Sequence, residues 1–500
     1  MIQLTKGLIP FWDDSLIDPI YTDAVLSVNR PVKTDSVITF DQPWEDDASS
    51  CFNIIRDGDF YKLYYLAHRY LDGSMENNIK LCYAESRDGL HWEKPNLGIC
   101  EYNGSRENNL LMMNLFDNVS VMKDENPDCP PEERYKALMN TTSPEKYPGY
   151  VPGETKLRTP VNQPKENFAY LSRRALVYFS SADGLHFKPE RILHQGYSYD
   201  CQNSLIWNPH TKKYYLYFRE LHANATSADE RFNEEWPVRG IMVMESEDFS
   251  NWSEPKELDY MGSGDVPLYF NCIMPYPFDT RYYVGFPTRY NERREWTPNF
   301  DRLCDYDSRR KRSKTDIRFG TAITDCLFMS SRDYYHWYRF DEACLSPGPE
   351  RGPNWRYGDC YPAQGTIVET PSRFRGEPNE LSIYAQEFYD KAEFIRYVYR
   401  RDGFASVKAD SQGKTLTTKP FQFVGERLTM NFRTSARGCI YLTVTDESNV
   451  PLEGYRTCEI FGDALDREID FEKSLSEIQG KTVRLVFTMR DAEIYSLRLL

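Results

Sequence analysis

The sequence predicts an all-β chain: a five-bladed β-propeller followed by a C-terminal β-sandwich. Three observations carry that prediction. A short signature recurs, as "ESRDGLHW" from Glu85, "SSADGLHF" from Ser180, "ESEDFSNW" from Glu245, "SSRDYYHW" from Ser330 and, more faintly, "YRRDGF" from Tyr399. Each copy follows an apolar run with strand character: "IKLCYAES", "ALVYFSS", "GIMVMES", "TDCLFMSS" and "FIRYVYR". Helix-period stretches and Gly-rich phosphate loops are lacking, which disfavours α/β alternatives.

Upstream of each signature lies a further pair of strand-like runs. In the first unit it is "CFNIIRDGDFYKLYYLAHR" from Cys51, with a hairpin turn around Asp57-Gly58. In the third it is "QNSLIWNPHTKKYYLYFRE" from Gln202, turning at Asn208-Pro209; the fourth and fifth pairs begin at Phe270 and Gly365. The second is more interrupted, with "DNVSVMKD" from Asp117 and "ERYKALMN" from Glu133. Four-stranded units repeated in this way are propeller blades, which close radially and so protect their edges.

Blade topology separates structure from chemistry. If the strands of a blade are lettered A to D outward from the channel, the start of A, the end of B and the start of C share one face, and the C-to-D turn lies on the other. The recurring Asp sits in that turn, where Asp bonds its own backbone and Gly supplies a positive φ. Asp88, Asp183, Asp248, Asp333 and Asp402 are therefore structural, as are His91, His186 and His336. Chemistry is expected instead at the mouth of the channel.

Composition narrows the ligand. A net charge of -15 opposes nucleic acid and anionic membrane, both of which need a basic footprint. The basic run "SRRKRSK" from Ser308 reads as a solvated loop. Aromatics at 15% suit strands and stacking surfaces, so a neutral, ring-shaped ligand such as a small carbohydrate fits. The twelve Cys include no Cys-x-x-Cys pair and many lie inside apolar runs, as reduced, buried residues would. With no secretory signal or long apolar span legible, a cytoplasmic location is expected. Seven His, three of them in the turns, show no metal-ligand spacing, and no cofactor is expected.

The candidate site residues flank strands A and B. Blade one offers "PWEDDASS", with Trp44, Glu45, Asp46 and Asp47, and then His68 and Arg69; blade two offers Asp117. Blade three offers Asp200, Gln202 and Asn203, with Arg219 and Glu220 closing strand B. Blade four gives Asp265, Tyr269, Asn271 and Arg289, and blade five Asp359, Tyr361 and Glu387. Several carboxylates around one funnel, interleaved with Arg, Asn and aromatics, are what glycoside cleavage needs. One carboxyl donates a proton to the leaving oxygen while a second attacks the anomeric carbon or activates water. Crowding pushes their pKa values apart. The bland alternative is that some of these carboxylates cap loops or pair with Arg69, Arg219 and Arg289.

The layout resembles the clan of glycoside hydrolase families 32 and 43, whose members place acidic residues on the innermost strands of successive blades. More closely, "FDQPWEDD", "DGLHWEKPNLG", "CPPEERYKAL", "YDCQNSLIWNP", "FMSSRD" and "RRDGFASV" resemble a bacterial group of family-32-like proteins, with a terminal segment similar to "LTTKPFQFVGERLTMNF" after the propeller. The resemblance implies a hydrolase removing a terminal, furanosyl residue from a small oligosaccharide or glycoside. It maps the nucleophile to Asp47 or, with a small slip, to Glu45. It leaves Asp117 as the counterpart of the "RDP" Asp and Asp200 at the acid position, with Glu220 or Glu387 as further sources of a carboxyl. The family-32 hallmark "WMNDPNG" is absent. Two other readings stand beside it: a glycoside phosphorylase holding phosphate with Arg69, Arg219 and Arg289, and a non-catalytic carbohydrate-binding propeller.

The division expected is a propeller over residues 1–404 and a sandwich over 405–500, because all nine Trp lie at or before Trp355 and the tail alternates with period two. Two insertions, Thr141 to Asn167 and Asn291 to Gly320, are too long for hairpin loops and leave blades near B-to-C junctions. They are expected to wall the funnel or to cover it in an oligomer; oligomeric state is not legible.

Overall fold

The computed structural model describes residues 2–71, 74–75, 78–152, 174–222, 238–293, 295–388 and 392–500. The chain divides into two compact units, Val32–Val398 and Met1–Pro31 with Tyr399–Leu500.

Val32–Val398 is a five-bladed propeller. Blade one pairs Ala48–Asp57, Phe60–His68, Ile79–Ser86 and Leu110–Leu115 as strands A to D. Blade two uses Asp117–Lys123, Tyr135–Thr141, Ala175–Ser181 and Lys188–Gln195, and blade three Ser204–Asn208, Lys213–His222, Val238–Ser246 and Lys256–Glu257. Blade four is built from short strands, Ile273–Pro275, Tyr283–Gly285, Met329–Ser331 and Trp337–Arg339, with a separate hairpin of Thr288–Glu292 and Ala322–Cys326. In blade five strand A comes in two pieces, Tyr361–Pro362 and Val368–Thr370, both paired with Glu380–Glu387; next comes Glu393–Tyr399, and the outermost strand is Val32–Thr39, which pairs antiparallel with Glu393–Tyr399. The ring is thus closed by a segment that precedes blade one in sequence. It cannot open without breaking that ladder.

Apolar cores lie between blades. Tyr64, Leu66 and Leu81 of blade one meet Val119, Val121 and Ala137 of blade two, and Leu138 and Leu176 of blade two meet Leu205 and Leu216 of blade three.

The repeated turns are structural, as their sequence implies. One oxygen of Asp88 accepts the N–H groups of Leu90 and His91 at 2.8 and 2.9 Å. Asp183, Asp248 and Asp333 do the same two and three residues on. Each turn is then latched by a side chain of the preceding blade. Tyr384 donates to Gly89 O at 2.7 Å, Tyr64 to Gly184 O at 3.0 Å, Arg191 to Phe249 O at 3.0 Å and Tyr217 to Tyr334 O at 3.0 Å. Gly184 has φ +77°, and a Cβ there would lie 2.7 Å from the Tyr64 hydroxyl, so the latch and the glycine require each other. The fifth copy departs: Asp402 accepts from Ser496 and Arg498 in the other unit of the chain, of which it is itself a part.

That other unit is a ten-stranded sheet organised by two long antiparallel strands, Leu428–Asp446 and Thr482–Leu499, with a register shift between Thr434 and Cys439. Its core includes Leu428, Met430, Phe432, Leu442, Phe487 and Ile494. Gly7–Pro10 pairs with Thr482–Leu499, and Val25–Val28 with Ala405–Ala409. The first 31 residues therefore belong with the C-terminal strands, whereas a division at 404/405 had put them with the propeller. The pairing is non-local, so no local pattern announces it.

The basic run from Ser308 differs from a solvated loop. It lies mainly in a helix, Tyr306–Arg312, with Arg309 only 1% exposed. Arg309 spends its guanidinium on the carbonyls of Cys304, Asn354 and Trp355, which is why a charge is tolerated inside. Of the first insertion, residues 153–167 lie outside the described residues; the part before them runs along the outer strand of blade two, where Ile192 donates to Pro148 O. Among the described residues no helix is long and apolar enough to cross a membrane.

Candidate active site

The mouth is organised by a repeated kink. Asn118, Cys272 and Cys360 open or precede strand A of their blades with φ of 54°, 42° and 57°, Cys51 bulges strand A of blade one near its start with φ 53°, and in blade three the left-handed residue is Tyr199 at 43°. Such a conformation costs a non-glycine residue roughly 1–2 kcal/mol. It re-aims the chain just where each innermost strand begins. The pairs Ser50-Cys51, Asp117-Asn118, Asn271-Cys272 and Asp359-Cys360 share that kink at their second residue, while in blade three it lies one residue before Asp200-Cys201. That five-fold pattern was legible in the sequence as a small polar residue followed by Cys or Asn.

Two of these residues form the centre of the site. Asp200, its side chain 28% exposed, meets Arg174 at 2.6 Å and Arg219 at 3.1 Å. Burial favours its protonated form, but Arg219 and then Arg174 outweigh that and hold its pKa below the ordinary value. Asp117 accepts the Asn118 N–H at 2.7 Å and lacks a salt bridge of its own among the described residues. Burial first, and the charge of Asp200 second, push its pKa up to about 7 against the opposing pull of Arg174. Two neighbouring carboxyls are thus held in opposite states near neutrality.

Around them stand groups that sequence reasoning did not single out. Arg174 precedes strand C of blade two and Arg239 is the second residue of strand C of blade three. Lys80 holds the corresponding place in blade one, fully buried against Asp46 at 2.5 Å. A cation at the start of strand C recurs in three successive blades, each facing a carboxylate. Asn140, the ladder partner of Asp117, is 1% exposed, and neither its amide oxygen nor its amide nitrogen has a hydrogen-bond partner among the described residues. Asn271, already a candidate from the sequence, is in the same condition at 0%. Buried amides left this way carry unspent hydrogen-bonding capacity beside the carboxyls.

The remaining candidates divide. Tyr269 belongs to the site: Arg219 and Arg239 lie 5.6 and 5.7 Å from its ring, and Tyr290, Tyr357 and Tyr361 surround it. Burial, then Asp200, raises its phenol well above the ordinary range. Asp47 is part-buried directly before strand A of blade one, and Arg69 is exposed just after strand B. Glu45 is consumed by Tyr65 at 2.5 Å, Lys94 at 2.7 Å and the Gln42 N–H at 2.8 Å. Trp44 donates to Asn109 at 2.7 Å. His68 is driven down to a pKa of about 4 by burial and by Lys80, so it is neutral. Gln202 reaches Phe52 O at 3.1 Å and ties blade three to blade one, while Asn203 donates to Tyr199 O at 3.3 Å. Glu220 accepts backbone N–H groups from Ser198 and Leu221. Arg289 grips Asp325 in a fork at 2.9 and 2.6 Å. Glu387 is held by Lys33 at 2.5 Å, Arg351 at 2.6 Å and Tyr397. Asp359 accepts from the Arg356 and Phe388 N–H groups, and burial pushes its pKa up to about 6. The structure therefore brings together Asp117, Asp200, Arg219, Tyr269 and Tyr361, and commits Glu45, Arg289 and Glu387 to local partners.

Among the described residues no group of three or more His, Cys, Asp or Glu side chains could hold a metal ion.

No protein-family model matches the chain, and no curated protein matches it. Solved structures similar to it include an N-acetylgalactosamine deacetylase from F. plautii, at 12% identity and a TM-score of 0.38 over 80% of this chain and 94% of that one. Another is a GH93 α-L-arabinofuranosidase of Fusarium graminearum, at 10% identity and 0.35 over 78% and 93%. A third is an α-L-arabinanase of Penicillium chrysogenum, at 10% and 0.34 over 79% and 94%.

Proposed function

We propose that the funnel hydrolyses glycosidic bonds, with Asp117 as general acid and Asp200 as the ionised carboxylate of the pair. The observation that carries this reading is their opposed protonation: Asp117 titrates at about 7, while Asp200 is held anionic by Arg219 and Arg174. Asp117 gives its proton to the leaving oxygen as the C–O bond breaks. Asp200 supplies the negative charge that an oxocarbenium-like state requires, water adds to the anomeric carbon, and the proton that water sheds returns Asp117 to its acid form. Asn140 and Asn271, each with a donor and an acceptor unused among the described residues, would supply hydrogen bonds to sugar hydroxyls or to a water that bridges to them.

The resemblance to families 32 and 43 points to a terminal furanosyl residue on a small glycoside, which is the first substrate class to try. A phosphate-dependent reaction is less well served, because Arg219 and Arg289 are each bound to a carboxylate. The test is a hydrolysis screen against aryl glycosides and short oligosaccharides, with and without phosphate, beside Asp117→Asn and Asp200→Asn. Turnover lost in both variants supports the assignment; turnover retained in Asp117→Asn removes it.

A further inference from the structure

Blades four and five carry a cavity of about 620 Å³ that the carboxylate pair does not use. Small-molecule sites span roughly 300–1,000 Å³, so it is of ligand size. Phe300, Leu303, Ile323 and Trp355 form its apolar wall. Phe300 and Leu303 come from the insertion between strands Thr288–Glu292 and Ala322–Cys326.

Trp355 is held unusually firmly. Its φ is +62°, a left-handed conformation that a bulky residue keeps only when its surroundings impose it. Its indole N–H donates to Gly348 O at 2.7 Å, and its own carbonyl accepts from Arg309 at 2.6 Å. This accounts for a buried arginine in the insertion helix: Arg309 fixes the backbone that presents Trp355.

One ion pair separates this cavity from the carboxylates. Glu292, its side chain 8% exposed, lines the cavity and accepts from Arg239 at 2.9 Å. Arg239 in turn lies over Tyr269 and is among the charges that keep Asp200 ionised. Glu292 is ion-paired with Arg239 and, at 3.7 Å, with Arg318, so among the described residues Glu295 and Glu350 stand against Arg293, a lining with no surplus of positive charge to draw an anionic ligand. Aromatic walls beside carboxylate acceptors suit a hydroxylated ring, with C–H groups on the indole and hydroxyls donating at the edge.

We propose that this cavity is a second sugar subsite, in which Trp355 is the stacking platform for a neutral ring beyond the bond that is cleaved. The inference rests on the glycosidase reading for what lies in the funnel. It is tested by saturation-transfer NMR on Asp117→Asn protein with sucrose, lactose, maltose and arabinobiose, and with arabinose, fructose and galactose as single rings. In the Trp355→Ala background the disaccharide that binds best should weaken about ten-fold, equivalent to roughly 1.4 kcal/mol, with little change for single rings and recovery in Trp355→Phe. Unchanged disaccharide binding, or no binding of any probe to the Asp117→Asn protein, overturns the subsite. If the alanine variant does not fold, Leu303→Trp, which fills the cavity, is read in the same way. Binding lost in Trp355→Ala without turnover by the parent protein supports the subsite and sinks the glycosidase reading. Turnover that needs Asp117, with binding indifferent to Trp355, does the reverse.

Discussion

The two ends of the blades follow opposite rules. At the C-to-D turns, four blades repeat one solution almost atom for atom, with an Asp oxygen on two N–H groups and a latch from the blade before. At the mouth each blade has a backbone kink, but the polar residues beside it are Ser50, Asp117, Asp200, Asn271 and Asp359, with the kink after the residue in four blades and before it at Asp200. A carboxylate that recurs identically in every blade serves the repeat. One whose surroundings are unique to its blade is where chemistry can be placed. Asp88 and Asp117 illustrate this: hydrogen bonds, chiefly to His91, hold the first down at about 2 despite burial, while burial and a neighbouring charge lift the second to about 7.

The sharpest way to break this comparison is to neutralise one carboxylate at each end. Asp117→Asn should lower kcat/KM by roughly 10²–10⁴-fold, the usual worth of a general acid, with the fold intact by circular dichroism. Asp88→Asn should leave kcat/KM nearly unchanged and show its effect in denaturant unfolding. Next in size, Gly184→Ala forces a Cβ against the Tyr64 hydroxyl at positive φ. It should cost about 1–3 kcal/mol in urea denaturation, as strained positions do. Tyr384→Phe removes only the latch to Gly89 and should cost about 1 kcal/mol, the net worth of a typical hydrogen bond.

A separate effect concerns pH. Asp117 binds its proton more tightly in the folded protein, at about 7, than in the unfolded chain, near 3.9. Between those values the native state holds a proton that the unfolded state has released, so this group makes stability fall as pH rises through that window. Asp117→Asn should therefore raise Tm relative to the parent at pH 8 and leave it nearly unchanged at pH 4. A Tm difference independent of pH would contradict the assignment.

Much of this was legible beforehand, and the reasons for the rest are physical. The blades could be read because strand runs and Asp turns are local and periodic. Closure by Val32–Thr39, and the pairing of Gly7–Pro10 with Thr482–Leu499, could not, because both depend on contacts made across most of the chain. Asp117 and Asp200 were legible from their place before strand A. Arg174 and Arg239 were not, since long insertions separate them from the strand B residues they adjoin. Their distances, not their spacing, decide which carboxyl keeps its proton, so the acid position that the resemblance gives to Asp200 passes in our proposal to Asp117.

The central claim can be measured without knowing the substrate. A ¹³C NMR titration of Asp-labelled protein, assigned with Asp117→Asn and Asp200→Asn, should show one carboxyl with a midpoint near 7 that disappears in Asp117→Asn, and Asp200 ionised throughout the neutral range. A midpoint for Asp117 at the ordinary value near 4, or an elevated midpoint that belongs to Asp200, would contradict the account.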